Sequence, residues 1–232
     1  MVQISETVKV LIIVNVLFFL GSLQLRELSF DLFGMHYFQN PVFKFWQPLT
    51  HMFMHLDFRH LGFNMLSLWM FGSAMERAWG QKRFIFFYIS AGLGAALVSS
   101  LVDYFLVQQG IQEMLGAGFT RIEINEMLAN GMYVPELMED WIRVYFGTGI
   151  GASGAIYGIL VAFAWYFPNA TLWPIPIPVK YFIPATLLGD LFLGFSGAVT
   201  GIGHWAHLGG ALFGFIMAYY WKKSGFSPKR WN

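Results

Sequence analysis

The chain is predicted to be an all-α membrane protein, a bundle of six transmembrane helices with both termini in the cytoplasm. Three observations carry this. Of 232 residues, 56% are hydrophobic and 12% charged, with a mean hydropathy of +0.54, an apolar excess that a soluble domain of this length cannot solvate. The apolar residues fall into six runs, each near the ~20 residues that cross a bilayer as a helix. Lys and Arg are unevenly divided between alternate sides of those runs.

The runs are Val10–Leu25, Leu61–Met75, Phe84–Val102, Gly147–Phe167, Tyr181–Gly203 and His204–Trp221. The first follows only Lys9 and shows no small-residue cleavage pattern before Arg26, so it reads as a retained helix rather than a signal peptide. One side collects nine basic residues: Lys9, Arg77, Lys82, Arg83, Lys180, Lys222, Lys223, Lys229 and Arg230. The other collects five: Arg26, Lys44, Arg59, Arg121 and Arg143. The richer side is cytoplasmic. Residues 1–232 read as one polytopic domain with external loops at about 26–59 and 108–148. In the longer loop, Thr120 with Glu123 forms a capping box pattern, Gly131 a stop, and Pro135 an opening for an amphipathic helix through Leu137, Met138, Trp141 and Ile142. That helix is expected either on the membrane surface or as plain cover.

The formal charge of +1, with aromatic residues in apolar runs rather than among basic clusters, excludes a nucleic-acid binder. The absence of cysteine excludes disulfides, thiol catalysis and cysteine-ligated zinc.

Polar residues inside the runs need a reason, because a hydroxyl or imidazole is costly in hydrocarbon without partners. The second, fourth and sixth runs all enter from the external side, and His60 with Asn64, Ser153, and His207 lie near their entering ends. A shared depth implies an outward-opening, water-accessible cavity. Gly149, Gly151 and Gly154 flank Ser153; they leave backbone N–H groups free to hold an oxyanion, or simply permit close helix packing. Tyr157 is one turn beyond and either walls the site or fills core. Gly210, Gly214 and Ala218 repeat every four residues after His207 and give the sixth helix a smooth face. If its neighbour is the fourth helix, His207 meets Ser153; otherwise it is a packing histidine. His204 reads as solvated or structural. His60 and Asn64 share a face and can both donate to an oxyanion. His51 and His55, also four apart, raise a metal alternative, but no Glu follows His51 in an H-E-x-x-H pattern and Asp57 is the only nearby carboxylate, so a hydrogen-bonded structural role is preferred.

His60-x-x-x-Asn64, Gly151-x-Ser153-Gly154 with Tyr157, and Ala206-His207-x-x-Gly210-x-x-x-Gly214 together resemble the three motifs of the rhomboid intramembrane serine proteases, in order and across essentially the whole chain. The stretch from Thr50 to His55 and Glu76 are also similar to that family. The resemblance implies Ser153 as nucleophile and His207 as general base, a dyad without a carboxylate. It implies His60, Asn64 and the Ser153 N–H as oxyanion hole, and Tyr157 stacked near His207. Asp103 and Asp190, on the third and fifth helices, have no motif partner. Two departures touch loop anchoring rather than chemistry: Gln47 follows Trp46 where the family has arginine, and Ala78 replaces an arginine after Glu76. The implied activity is hydrolysis of single-span transmembrane proteins near the external boundary, at small residues, without cofactor or metal. The expected location is the bilayer of a bacterial inner membrane. A catalytically inert relative that escorts membrane proteins is the alternative; a transporter would call for an internal repeat, and none is convincing.

Overall fold

The computed structural model describes residues 3–132, 134–172, 175–197 and 200–224. Lys229 and Arg230, two of the nine basic residues counted above, lie outside them. Of the amphipathic pattern expected after Pro135, the Leu137 side chain does too.

In chain order the helices are α1 (Glu6–Gln24), α2 (Arg26–Phe33), α3 (Gln47–Thr50), α4 (Phe58–Ser67), α5 (Ser73–Trp79), α6 (Gln81–Gly116), α7 (Arg121–Ala129), α8 (Pro135–Phe146), α9 (Ser153–Tyr166), α10 (Val179–Ser196) and α11 (His204–Lys223). A 3₁₀ turn at His51–Phe53 follows α3, and a π-helical turn at Leu68–Gly72 joins α4 to α5 into one continuous rod. A small antiparallel hairpin, β1 (Thr171–Leu172) with β2 (Ile175–Pro178), connects α9 to α10 and pairs Thr171 with Pro178. Among the described residues two helices, α1 and α6, are long and apolar enough to cross a membrane by length and composition; α9 is apolar but shorter.

The helices differ from the hydropathy runs at several boundaries, among them the end of α10 at Ser196 rather than Gly203. The third helix does not stop near Val102: α6 runs 36 residues to Gly116, ~54 Å at 1.5 Å per residue. Its last turns therefore occupy the beginning of the expected 108–148 loop. The fourth begins at Ser153 rather than Gly147, because residues 147–152 are not helical. The apolar face of α8 is not spread on a membrane surface. Met138, Trp141 and Ile142 are buried with Tyr37, Val107, Ile111, Met114, Ile124 and Leu128 in a core of their own, and a Cβ on Gly110 would lie 1.9 Å from Trp141. The capping box of Thr120 and Glu123 does form.

The main core unites α1, α4, α5, α6, α9 and α11 around Phe19, Met52, Leu68, Phe84, Phe87, Tyr88 and Ile159. Within it, α6, α9 and α11 approach backbone to backbone. A Cβ on Gly210 would sit 1.9 Å from the Gly154 carbonyl oxygen, and one on Gly214 2.5 Å from Gly158 Cα. On the other side of α11, a Cβ on Gly209 would come within 3.0 Å of the Gly94 oxygen. Only glycine permits such contacts, which replace side-chain interdigitation by main-chain packing.

Two anchors hold the periphery. Gln47 is fully buried; its amide donates to the carbonyls of Asp31 (2.7 Å) and Val42 (3.2 Å) and accepts from His36 N–H. The loop is thus tied down without the family's arginine, and Ala78 simply packs in the core. At the other end of the molecule, the buried Glu76 carboxylate accepts the N–H groups of Thr7 and Val8 at 3.0 Å each, and the Ser5 hydroxyl. It satisfies unpaired donors of the first turn of α1 and places a negative charge on the positive end of that helix. Glu76→Ala should lower stability by about 2–3 kcal/mol, with Glu76→Gln intermediate, as measured by thermal unfolding in detergent; melting temperatures equal to wild type for both would show that the cap contributes nothing.

Candidate active site

The site is built where α4, α9 and α11 begin. Residues 147–152 enter it as irregular, non-helical chain. Gly149 exchanges two hydrogen bonds with Met35, at 2.7 and 2.8 Å, and Gly151 N–H donates to the His51 carbonyl at 2.9 Å. Gly151 has φ +125°, and a Cβ there would lie 2.8 Å from His60 Nε2 and 3.6 Å from Ser153 Oγ. A side chain at Gly151 would be strained in the backbone and would fill the gap between those two groups. The turn delivers Ser153 as the first residue of α9, where a backbone N–H has no intrahelical partner and the helix dipole favours negative charge.

His207 lies in the first turn of α11, three residues before Gly210. The main-chain contact of Gly210 with Gly154 sits beside both residues, and His207 Nε2 is 2.9 Å from Ser153 Oγ. Tyr157 stacks on the imidazole, with centroids 4.0 Å apart and planes 9° from parallel. His207 itself is buried.

On α4, Asp57 caps the helix by accepting the His60 N–H at 2.8 Å. His60 Nδ1 accepts from Leu56 N–H at 3.3 Å, which leaves Nε2 protonated and turned toward Gly151 and Ser153. Asn64, one turn on, is buried, and its Nδ2 finds no partner among the described residues. An orphaned amide donor of that kind costs about 1–3 kcal/mol unless something accepts from it. His51 and His55 stand behind this face. His51 Nδ1 bonds the Gln47 carbonyl at 3.1 Å, whereas the ring nitrogens of His55 meet no partner among the described residues; its ring packs edge-on against His60 at 5.0 Å. Burial pushes both imidazoles down to about 4, so both are neutral near pH 7.

Sequence reasoning assigned no carboxylate to His207, and here the structure differs. Asp190 of α10 is buried, and its Oδ1 lies 3.2 Å from His207 Nδ1 and 2.6 Å from His204 Nδ1. His204 is accordingly a buried network residue rather than a solvated one, and its Nε2 is 2.7 Å from Thr200 Oγ1. The sequence signal was an acid inside an apolar run, with two histidines three apart on the following helix. Asp103 is elsewhere, lining a cavity of about 700 Å³ with Trp141 and Trp205. Asp190, His204 and His207 are also the one group among the described residues whose donors cluster as a metal site would require. Each imidazole nitrogen in the group already has a hydrogen-bond partner at 2.6–3.2 Å.

A hydroxyl held against a bare imidazole nitrogen, beside helix-start and amide N–H groups with nothing to bond, can form an acyl intermediate and stabilise its oxyanion. Comparison with known proteins places the chain in a family. The Rhomboid domain matches residues 42–224. The chain is 29% identical over 207 residues to rhomboid protease AarA of Providencia stuartii, covering 86% of this chain and 64% of that protein. It is 26% identical to the mitochondrial rhomboid protein 1 of Saccharomyces cerevisiae (74% and 40%) and 26% identical to rhomboid protease GluP of Bacillus subtilis (75% and 26%). It therefore spans from about a quarter to about two thirds of the length of these relatives. With most of its length matched by that domain, the chain belongs to the Rhomboid family of integral membrane proteins.

Proposed function

We propose that this protein is an intramembrane serine endopeptidase that cleaves single-span transmembrane proteins near the external membrane boundary. The observation that carries the reading is the 2.9 Å approach of Ser153 Oγ to His207 Nε2. Ser153 Oγ attacks the scissile carbonyl carbon as its proton passes to His207 Nε2, and the carbonyl electron pair moves onto oxygen. His60 Nε2–H, Asn64 Nδ2 and the Ser153 N–H receive that oxyanion. His207 then returns the proton to the leaving amine as the C–N bond breaks, and a water activated by the same imidazole hydrolyses the acyl-serine. Tyr157 keeps the ring in plane. None of these steps calls on a metal or cofactor.

The bilayer arrangement belongs to the same proposal: one domain over residues 1–232, six spans, both termini cytoplasmic, in a bacterial inner membrane. The basic-residue bias supports the orientation, and the family supports insertion in a membrane. Because α9 begins only at Ser153, the nucleophile sits at the head of a short helix of ~21 Å, below the external surface and reached through water. A helical substrate bond is hydrogen-bonded and screened, so substrates with an easily unwound helix top and small residues at the cleaved bond fit best.

Ser153→Ala, His207→Ala and the double variant should each abolish cleavage of a labelled single-span substrate in lipid to about the same extent, since the pair acts as one unit. Losses that add as independent energies, or cleavage by Ser153→Ala equal to wild type, would contradict the assignment. Asn64→Ala should lower kcat about 100- to 1,000-fold with KM little changed, because its bond strengthens only as the oxyanion forms; a change confined to KM would make Asn64 a binding residue.

A further inference from the structure

Asp190 is the only acidic residue of α10, and it is 6% exposed. A carboxylate within an apolar helix is costly unless donors compensate it. Here two imidazoles do so, both at Oδ1: His204 Nδ1 at 2.6 Å and His207 Nδ1 at 3.2 Å. A carboxylate oxygen only accepts, so both Nδ1 atoms carry hydrogen and, in the neutral rings, both Nε2 atoms are bare. The outer ends of the network agree. Thr200 Oγ1 accepts the Ile202 N–H at 3.2 Å and turns its own hydrogen to His204 Nε2 at 2.7 Å. Ser153 Oγ turns its hydrogen to His207 Nε2. Every proton in the chain points inward, from Thr200 on one side and Ser153 on the other, toward a single carboxylate.

From this directionality we infer that Asp190 is a positioning residue that fixes His207 as the Nδ1–H tautomer, with its basic nitrogen aimed at Ser153, while His204, held by Thr200, locks the carboxylate in place. The role rests on the proposed Ser153 hydrolysis. When the Ser153 proton reaches Nε2, His207 becomes an imidazolium that keeps its Nδ1–H. Asp190 stays ionised and faces the new positive charge. The proton that later protonates the amine leaves from Nε2, so Asp190 neither gains nor loses one. Without the carboxylate, the stack on Tyr157 constrains the plane of the ring but not which nitrogen carries hydrogen.

A purely structural bond between α10 and α11 would set the same tautomer without bearing on turnover at a fixed fold, so the test reads both the tautomer and kcat. ¹⁵N NMR of histidine-labelled protein in micelles, with the His207 signals assigned by their loss in His207→Ala, reads the tautomer without requiring activity. Wild type should show Nδ1 protonated and Nε2 bare, and Asp190→Leu, which removes the acceptor at similar volume, should lose that pattern. Asp190→Asn, which keeps shape and removes charge, should lower kcat about 100- to 10,000-fold with KM within about threefold of wild type. A His207 with Nε2–H in the wild type overturns the inference, even if neither variant folds. So does a folded Asp190→Asn with kcat within about threefold of wild type. Failure of the hydrolase reading looks different: there, cleavage is absent from wild type or indifferent to Ser153→Ala, whatever the tautomer.

Discussion

The distance between α9 and α11 governs everything else in this molecule. Gly154 faces Gly210 and Gly158 faces Gly214 with no side chain between them, so that distance is set by main-chain atoms and has little freedom to adjust. Ser153 precedes the first of these contacts by one residue and His207 precedes it by three. Their 2.9 Å approach is thus a consequence of helix packing, made at the two helix starts rather than by flexible loops. The third member of the seam, α6, closes from behind through Gly94 and Ala91, against Gly209 and Gly158 respectively.

Around that seam the buried charged groups are held by hydrogen-bond donors, as an apolar bundle demands. Asp190 receives two N–H donors instead of a Lys or Arg partner. Glu76 receives the first turn of α1. Gln47 ties the end of α2 to the following loop, its amide reaching the carbonyls of Asp31 and Val42. Of the nine buried side-chain nitrogen and oxygen atoms without partners among the described residues, four belong to Asn64 (Nδ2), Asp190 (Oδ2) and His55 (both ring nitrogens), in or next to the layer that holds Ser153 and His207; the other five are on Asn15, His36, Trp79, Tyr88 and Trp165. The unmet amide donor of Asn64 stands one turn from His60, where the proposed mechanism would receive the oxyanion.

Much of this was legible in the sequence because it depends on spacing along one helix. The four-residue repeat of Gly210, Gly214 and Ala218, the His60–Asn64 pair and the Gly-rich approach to Ser153 are all local patterns, as is the capping box at Thr120. What escaped depends on contacts between segments. Asp190 had no visible partner because its position against His204 and His207 is set by the turn through Thr200–Gly203, whose path no periodicity encodes. Helix α6 continued past Val102 because hydropathy falls there while helix propensity does not: Leu, Gln, Glu and Met carry it to Gly116. Conversely, residues 147–152 look like the start of a span yet bend at Gly151, where φ is +125°. The amphipathic pattern of α8 specified an apolar face without saying what covers it, and the notch at Gly110 that receives Trp141 became apparent only in three dimensions.

The claim that main-chain contact positions the reacting pair is tested most directly by one methyl group. Gly210→Ala places a Cβ where the Gly154 oxygen now lies 1.9 Å away, so the helices must separate, and a displacement of ~1 Å at a reacting pair costs ~100-fold in rate. Turnover of a single-span substrate by Gly210→Ala, measured below its melting temperature beside the exposed control Ile216→Ala on the same helix, is predicted to fall by about that factor while the control matches wild type. Wild-type turnover by folded Gly210→Ala would contradict the account, because Ser153 and His207 would then meet without the seam.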